Sequence, residues 1–207
     1  MKRARPYSAP AKKKYAKTSS KKSVSSYNSS KSSTPVRLVR RNVDEGTIVA
    51  TLSTTTFGAF SFRLNEVPNY TEFTAMYDQY KINAISITFY PQLTGVTSYI
   101  GSTTIQNARF LTAIDLTDNT PPSQMDDLRE YENCECHSAT ETFTVYISNP
   151  RFIDSNGALR TGYLATTSPS TTYYGLKYGL DILSPSAAGT YTYRCEAVYY
   201  MSFKAIK

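Results

Sequence analysis

Residues 191–204 alternate between two chemical faces. Tyr191, Tyr193, Cys195, Ala197, Tyr199, Met201 and Phe203 fall on one; Thr192, Arg194, Glu196, Ser202 and Lys204 fall on the other, with Val198 and Tyr200 among them. A period of two sustained over so long a run predicts a strand with one buried face. Tyr174, Leu176, Tyr178, Leu180 and Ile182 alternate with Gly175, Lys177, Gly179 and Asp181, which predicts a second strand over 174–182. Phe60, Phe62 and Leu64 predict one at 58–64. Ile85, Ile87 and Phe89 predict one at 82–90, and Phe143, Val145 and Ile147 one at 142–148. Further β-rich segments lie at 47–53 (extending back toward 37 if the pattern is read that far), 109–116 and 134–139, which makes eight strands.

Two short helices interrupt them. Asn69-Tyr70-Thr71-Glu72 reads as a capping box, with Asn69 as N-cap, opening a helix over 69–77. Pro121-Pro122-Ser123 precedes a second over 121–132, with Ser123 as cap and Asp126-Asp127 at the positive end of the helix. Most strands follow one another with no helix between them, so the sheets should be antiparallel. Eight long strands in about 165 residues fit an all-β, eight-stranded antiparallel jelly-roll sandwich with two short helices. The competing immunoglobulin-like sandwich uses shorter strands and a core Trp, and this chain has no Trp.

Charge divides the chain. The first forty-one residues hold thirteen Lys or Arg and no Asp or Glu: Lys2, Arg3, Arg5, Lys12, Lys13, Lys14, Lys17, Lys21, Lys22, Lys31, Arg37, Arg40 and Arg41. Residues 42–207 hold ten Lys/Arg against sixteen Asp/Glu, a net −6. Before Val36 the chain is mostly Ser, Lys, Ala, Thr and Pro with three Tyr. Such a segment buries too little apolar surface to offset its chain entropy. We therefore expect a disordered basic arm over 1–36 and a folded domain over 37–207. A partnerless tail and a membrane-surface tail are weaker readings. Thirteen like charges favour a counter-charge, and no Trp/Phe/Leu face accompanies the lysines. Nucleic-acid backbone binding needs only phosphate neutralisation, and all thirteen cations are candidates for it. Tyr7, Tyr15 and Tyr27 are spaced to stack on unpaired bases. Lys12, Lys13 and Lys14 with Lys21 and Lys22 also suit a nuclear import signal, which makes the host import machinery a second partner. No apolar h-region follows the charged start, and no apolar run is long enough to insert in a membrane.

Catalytic chemistry finds little support. The one histidine, His137, stands in Cys134-Glu135-Cys136-His137, and Cys195 is distant. On a strand, 134 and 136 share a face and 137 points away, so neither a zinc site nor a Cys–His nucleophile pair assembles easily. The three cysteines read as buried thiols on core strands, in a reducing compartment. Asp115-Leu116-Thr117-Asp118-Asn119, with Asp126-Asp127, offers oxygens to Ca²⁺, but it reads better as a strand-end turn. No phosphate loop or nucleophile elbow occurs. The composition is that of a binding or structural protein with no catalytic residues, metal or cofactor.

A basic arm ahead of a jelly roll resembles the capsid proteins of small icosahedral viruses. Phe73 through Tyr77-Asp78-Gln79-Tyr80-Lys81-Ile82, followed by Ile85, Ile87, Phe89 and Pro91, is similar to a segment of circovirus-like capsid proteins. There a pattern close to Phe-x-x-Tyr-(Asp/Glu)-x-Tyr-Lys/Arg-Ile leads from a short helix into an alternating strand that ends in Pro. Thr112 to Asp118 is similar to the Asp-bearing end of a later strand in the same group. The arm departs from circoviruses proper, which carry a denser Arg tract. The resemblance implies a T=1 shell of sixty identical copies around circular single-stranded DNA, assembled in the host nucleus, with a cell-surface receptor of unknown identity. A jelly-roll capsid of a small RNA or satellite virus is the first alternative. A nuclear single-strand-binding β-domain is the second; it wants a basic, aromatic face on the body, which a net −6 disfavours. Tyr77 and Tyr80, read from the residues alone, would pack as a pair one helical turn apart.

Overall fold

The computed structural model describes residues 36–51, 53–92, 109–181 and 190–206. The eight expected strands are all present, as β1 (Arg37–Thr51), β2 (Thr56–Phe62), β3 (Tyr77–Gln92), β4 (Arg109–Ile114), β5 (Glu135–Ser138), β6 (Phe143–Ser148), β10 (Tyr173–Leu180) and β11 (Thr190–Ile206). Leu52 and Ile182, expected at strand ends, lie outside the described residues. Between β6 and β10 the chain forms three short strands that alternation does not reveal: β7 (Arg151–Ile153), β8 (Leu159–Arg160) and β9 (Leu164–Ala165). The β7–β8 turn is built by Asp154, whose carboxylate accepts the N–H groups of Asn156 and Ala158, each at 2.9 Å.

The strands form two antiparallel sheets. One runs β1-β11-β3-β6, with β9 on the free edge of β3. In the other, β10 pairs with β2 along one edge and with β4 along the opposite edge, and β5 follows β4. Successive strands thus cross between sheets, which is jelly-roll topology. The core fills the space between them. Phe89 stacks on Phe143 at 4.8 Å, and Phe110 meets Tyr193 edge-on at 5.0 Å. Phe62 meets Tyr199 edge-on at 5.8 Å. Ring pairs of this kind hold the sheets in register beyond simple area burial.

Two β-bulges set which side chains face the core. In β1, Asp44 pairs with Glu196 and Gly46 with Cys195, so Glu45 is the extra residue. Gly46 has φ +83°, and its N–H bonds the Asp44 carboxylate at 2.9 Å. Val39 and Val43 are buried before the bulge, Ile48 and Ala50 after it. In β3 the register shifts at Asn83, so Tyr80 and Ile82 point inward on one phase and Ile85, Ile87 and Phe89 on the other.

The helices are shorter than expected. The first, α1, spans Tyr70–Met76 and buries Phe73, which stacks on Phe203 at 4.9 Å. The expected capping box is absent. Asn69 sits in the left-handed region (φ +59°), and its side chain caps nothing. An N-cap needs an extended backbone, which the left-handed conformation does not give. Tyr77 and Tyr80 lie on β3 rather than on a helix. Tyr77 packs on Phe203 and Tyr80 near Tyr173, with ring centroids 5.6 and 6.4 Å apart. The second helix, α2, spans only Met125–Arg129. Gln124 is its N-cap and Ser123 lies one residue outside. Asp127 accepts from the N–H groups of both, at 3.1 and 2.8 Å. A Cβ on Gly179 would lie 2.8 Å from Leu128 Cδ1 and from Met125 Sδ, so the glycine lets α2 settle onto β10.

Candidate nucleic-acid interface

Lys2, Arg3, Arg5, Lys12, Lys13, Lys14, Lys17, Lys21, Lys22 and Lys31 lie outside the described residues. Arg37, Arg40 and Arg41 open β1, an edge strand. They are exposed, and alternation sends them to different faces. Arg41 follows the core-facing phase, and its guanidinium lies 5.0 Å from the centre of the Phe73 ring. Arg40 takes the opposite face, 5.7 Å from the centre of the Tyr200 ring. In both an arginine is oriented by an aromatic face; Arg41 donates one N–H to the Arg40 carbonyl at 3.1 Å, and a guanidinium has further donors for an anion.

The opposite sheet carries a different arrangement. Lys177, expected on a polar face of its strand, is buried on β10, because α2 and the 115–134 segment cover that face. Its ammonium lies 2.8 Å from Asp115 Oδ2 and 2.9 Å from Asp118 Oδ1, and donates to the Tyr131 hydroxyl at 3.1 Å. Tyr131 in turn donates to Asp115 Oδ2 at 2.8 Å. Burial on its own would raise the Asp115 pKa. The Lys177 ammonium, with Thr117 and Tyr131, outweighs burial and holds the carboxyl well below the usual carboxylate range. Burial would likewise lower Lys177, but Asp115, Asp118 and Tyr131 hold it above the usual lysine value. The Asp115–Asp118 oxygens that suggested a Ca²⁺ turn thus face an ammonium. Asp115 also makes the expected turn, accepting the Thr117 N–H at 2.8 Å. A cleft of about 550 Å³ opens beside Lys177, rimmed by Asp118, Asp127 and Glu130. Three carboxylates repel a polyanion, so this cleft is no phosphate site.

The β1 bulge carries a third feature. It places the Glu45 carboxylate beside Tyr199, whose hydroxyl lies 3.0 Å from Glu45 Oε1 and 3.2 Å from Glu66 Oε2. Burial, with the nearby charges of Glu66 and Asp44, pushes Glu45 up to about 7 against the opposing bond from Tyr199.

The model of the circovirus capsid protein family matches residues 5–207. The chain belongs to that family. It is a viral capsid protein, a structural component of the virion. No curated protein matches it in sequence. Among solved structures, the decameric BFDV capsid protein aligns with a TM-score of 0.56 at 15% identity, covering 83% of this chain and all of that one. The 60-mer of the BFDV capsid protein aligns at 0.53 and 15%, covering 84% and 95%. The Cucumber Necrosis Virus structure aligns at 0.54 and 14%, covering 83% and 57%. At these identities the likeness is one of fold.

In this capsid protein two of the three cysteines differ from expectation. Cys195 is buried on β11, and burial pushes its thiol up to about 12. Cys136, however, is exposed on β5, a short edge strand, and Cys134, just ahead of that strand, is only partly buried. His137 stacks on Phe143 with ring centres 3.9 Å apart, and its Nε2 lies 3.2 Å from Thr112 Oγ1. Among the described residues no group of three or more His, Cys, Asp or Glu is placed to hold a metal ion.

Proposed function

We propose that this capsid protein assembles into a closed T=1 shell of sixty copies around circular single-stranded DNA. Residues 1–36 act as the arm that neutralises the genome, and residues 37–207 form the shell-building domain. The observation that carries this reading is the division of charge, thirteen cations with no acid in residues 1–41 ahead of a net −6 over residues 42–207. The first forty-one residues of sixty copies bring on the order of 780 positive charges, a sizeable share of a small genome's phosphates. The fold supports the shell, since the BFDV capsid protein shares it and has been solved as a 60-mer. Lys12, Lys13, Lys14, Lys21 and Lys22 serve in addition as the signal for entry into the host nucleus, where assembly takes place.

The mechanism is charge neutralisation without sequence reading. Each arm cation that meets a phosphate releases a counterion, so affinity falls steeply with salt while sequence matters little. The test titrates the full protein, and a variant with Lys12, Lys13, Lys14, Lys21 and Lys22 changed to Gln, against unrelated oligonucleotides at several salt concentrations. The wild type should lose affinity steeply with salt, and the variant should show a slope flatter by up to about 3.5 on single strands. Equal slopes for the two proteins, or a thousandfold preference for one sequence, would rule out a neutralising arm.

A further inference from the structure

The free face of the β1-β11-β3-β6 sheet has a composition that the domain's net charge conceals. Arg40, Tyr200 and Tyr146 lie in a row across it. Arg40 pairs with Tyr200 across β1 and β11, and Tyr200 meets Tyr146 of β6 edge-on, with ring centres 6.3 Å apart. The two rings reach each other over β3 because β3 presents only small residues there, with Ala84 opposite Tyr200 and Ser86 opposite Tyr146. Tyr146 is 59% exposed, unusual for an aromatic ring on a strand. Lys204 and Lys81 flank the row on the same face, Lys204 with its ammonium 4.0 Å from the centre of the Tyr163 ring. Asp44 and Glu196 stand farther along the sheet, where Arg194 approaches them at 3.8 and 3.1 Å. The half of the face nearest the start of β1 is therefore basic and aromatic.

We propose that this half-face is a second nucleic-acid contact, one that stacks unpaired bases on Tyr146 and Tyr200 while Arg40, Lys81 and Lys204 meet the phosphates. It rests on the reading that the arm binds the genome, and adds a folded subsite to it. Three observations favour a single-stranded polyanion as the occupant. The charged side chains that flank the ring pair, Arg40, Lys81 and Lys204, are all cations. Two partly or largely exposed rings in edge contact offer π-faces that every base fits, without sequence choice. The same chain that carries Arg40 on β1 also carries the ten cations of residues 2–31. A second copy docked two-fold on the same face would set Arg40, Lys81 and Lys204 against their own kind, which is unfavourable. The tail would then gather the strand by charge, and the sheet would hold it at fixed positions.

The test uses full-length protein. Tyr146→Ala/Tyr200→Ala should weaken binding to oligo(dT) about tenfold or more, with the salt slope unchanged and binding to a duplex of the same length unaffected, because paired bases offer no face to stack. Ultraviolet cross-linking of the wild-type protein to oligo(dT) should map to the peptides holding Tyr146 and Tyr200. This readout does not depend on the variant folding. Wild-type affinity in the folded variant, or cross-links confined to residues 1–35, would overturn the subsite. So would a Tyr variant whose only loss is self-association without nucleic acid, since the face would then be a subunit contact. The variant with five arm lysines changed to Gln separates the two claims. A flattened salt slope there, beside an unaffected Tyr variant, removes the subsite alone and leaves the arm. An unchanged slope there, beside a weakened Tyr variant, removes the arm reading and leaves the sheet as the binding surface.

Discussion

Lys177 and Glu45 are ionisable side chains drawn into the fold by their strands; burial favours the neutral form of Glu45, while pairing holds Lys177 charged. The Glu45 carboxyl is raised from 4.5 to about 7. The folded state therefore holds its proton more tightly than the unfolded chain does. Its contribution to stability is complete below pH 4.5, falls as pH rises toward 7 and is flat above, with a span of at most about 3 kcal/mol. In Glu45→Gln that decline should vanish, leaving the variant more stable than wild type above pH 7. Urea unfolding across pH 4.5–8 measures this, and an unchanged pH profile would show that Glu45 is not desolvated. Asp115 and Lys177 are instead held in their charged forms, Asp115 by a lowered and Lys177 by a raised folded-state value. Their pair holds from above the unfolded Asp value of 3.8 to below the unfolded Lys value of 10.5, and is lost outside that window. Lys177→Met should cost about 3–5 kcal/mol, because it leaves Asp115 buried and uncompensated. Asp115→Leu/Lys177→Met should recover part of that loss. A cost under 1 kcal/mol for the single variant would mean that the charge is solvated.

At the scale of elements, the strands with unbroken alternation were legible and the bulged ones only in part. β11 reads directly because its core face is apolar throughout, from Tyr191 to Phe203. The first half of β1 does not, since it is an edge strand with Arg37, Arg40, Arg41 and Asn42 exposed, and the bulge at Glu45 reverses its phase midway. The three-residue gap between Ile82 and Ile85 was a sequence trace of the Asn83 bulge. The short strands β7 to β9 left no trace, as two or three residues cannot show a period. Glycine placement carries a related constraint. A Cβ on Gly58 would lie 2.3 Å from Tyr178 Cζ, and that ring is fixed between Phe60 and Phe110 at 5.4 and 5.7 Å. Gly58→Ala should therefore destabilise the domain by about 1–3 kcal/mol through overpacking. A variant as stable as wild type by thermal or chemical unfolding would show that Tyr178 can move aside.

For the whole molecule, composition carried the proposed division of labour but not its local exceptions. The count of −6 for residues 42–207 is an average. It includes the carboxylates around the cleft beside Lys177, hides Lys81 and Lys204 of the basic half-face, and leaves out Arg40. The residues of that half-face come from four segments far apart in the chain, β1, β3, β6 and β11, and only the sheet registers bring them together. Val198 and Tyr200, which interrupt the polar face of the 191–204 run, were the one sequence signal that this face is not ordinary solvent surface. The Lys177 network was hidden for the same reason, because its partners stand more than forty residues away from it.

The central claim is that many copies of this domain close into one shell with a strand of DNA inside. Sedimentation and negative-stain microscopy of the purified full-length protein, with nuclease digestion before extraction, test it together. The account predicts one discrete species of about sixty subunits, spherical and uniform in diameter, holding protected nucleic acid that DNase but not RNase degrades once released. A protein that stays monomeric or dimeric at high concentration, with nucleic acid present and across a range of pH and salt, would contradict it.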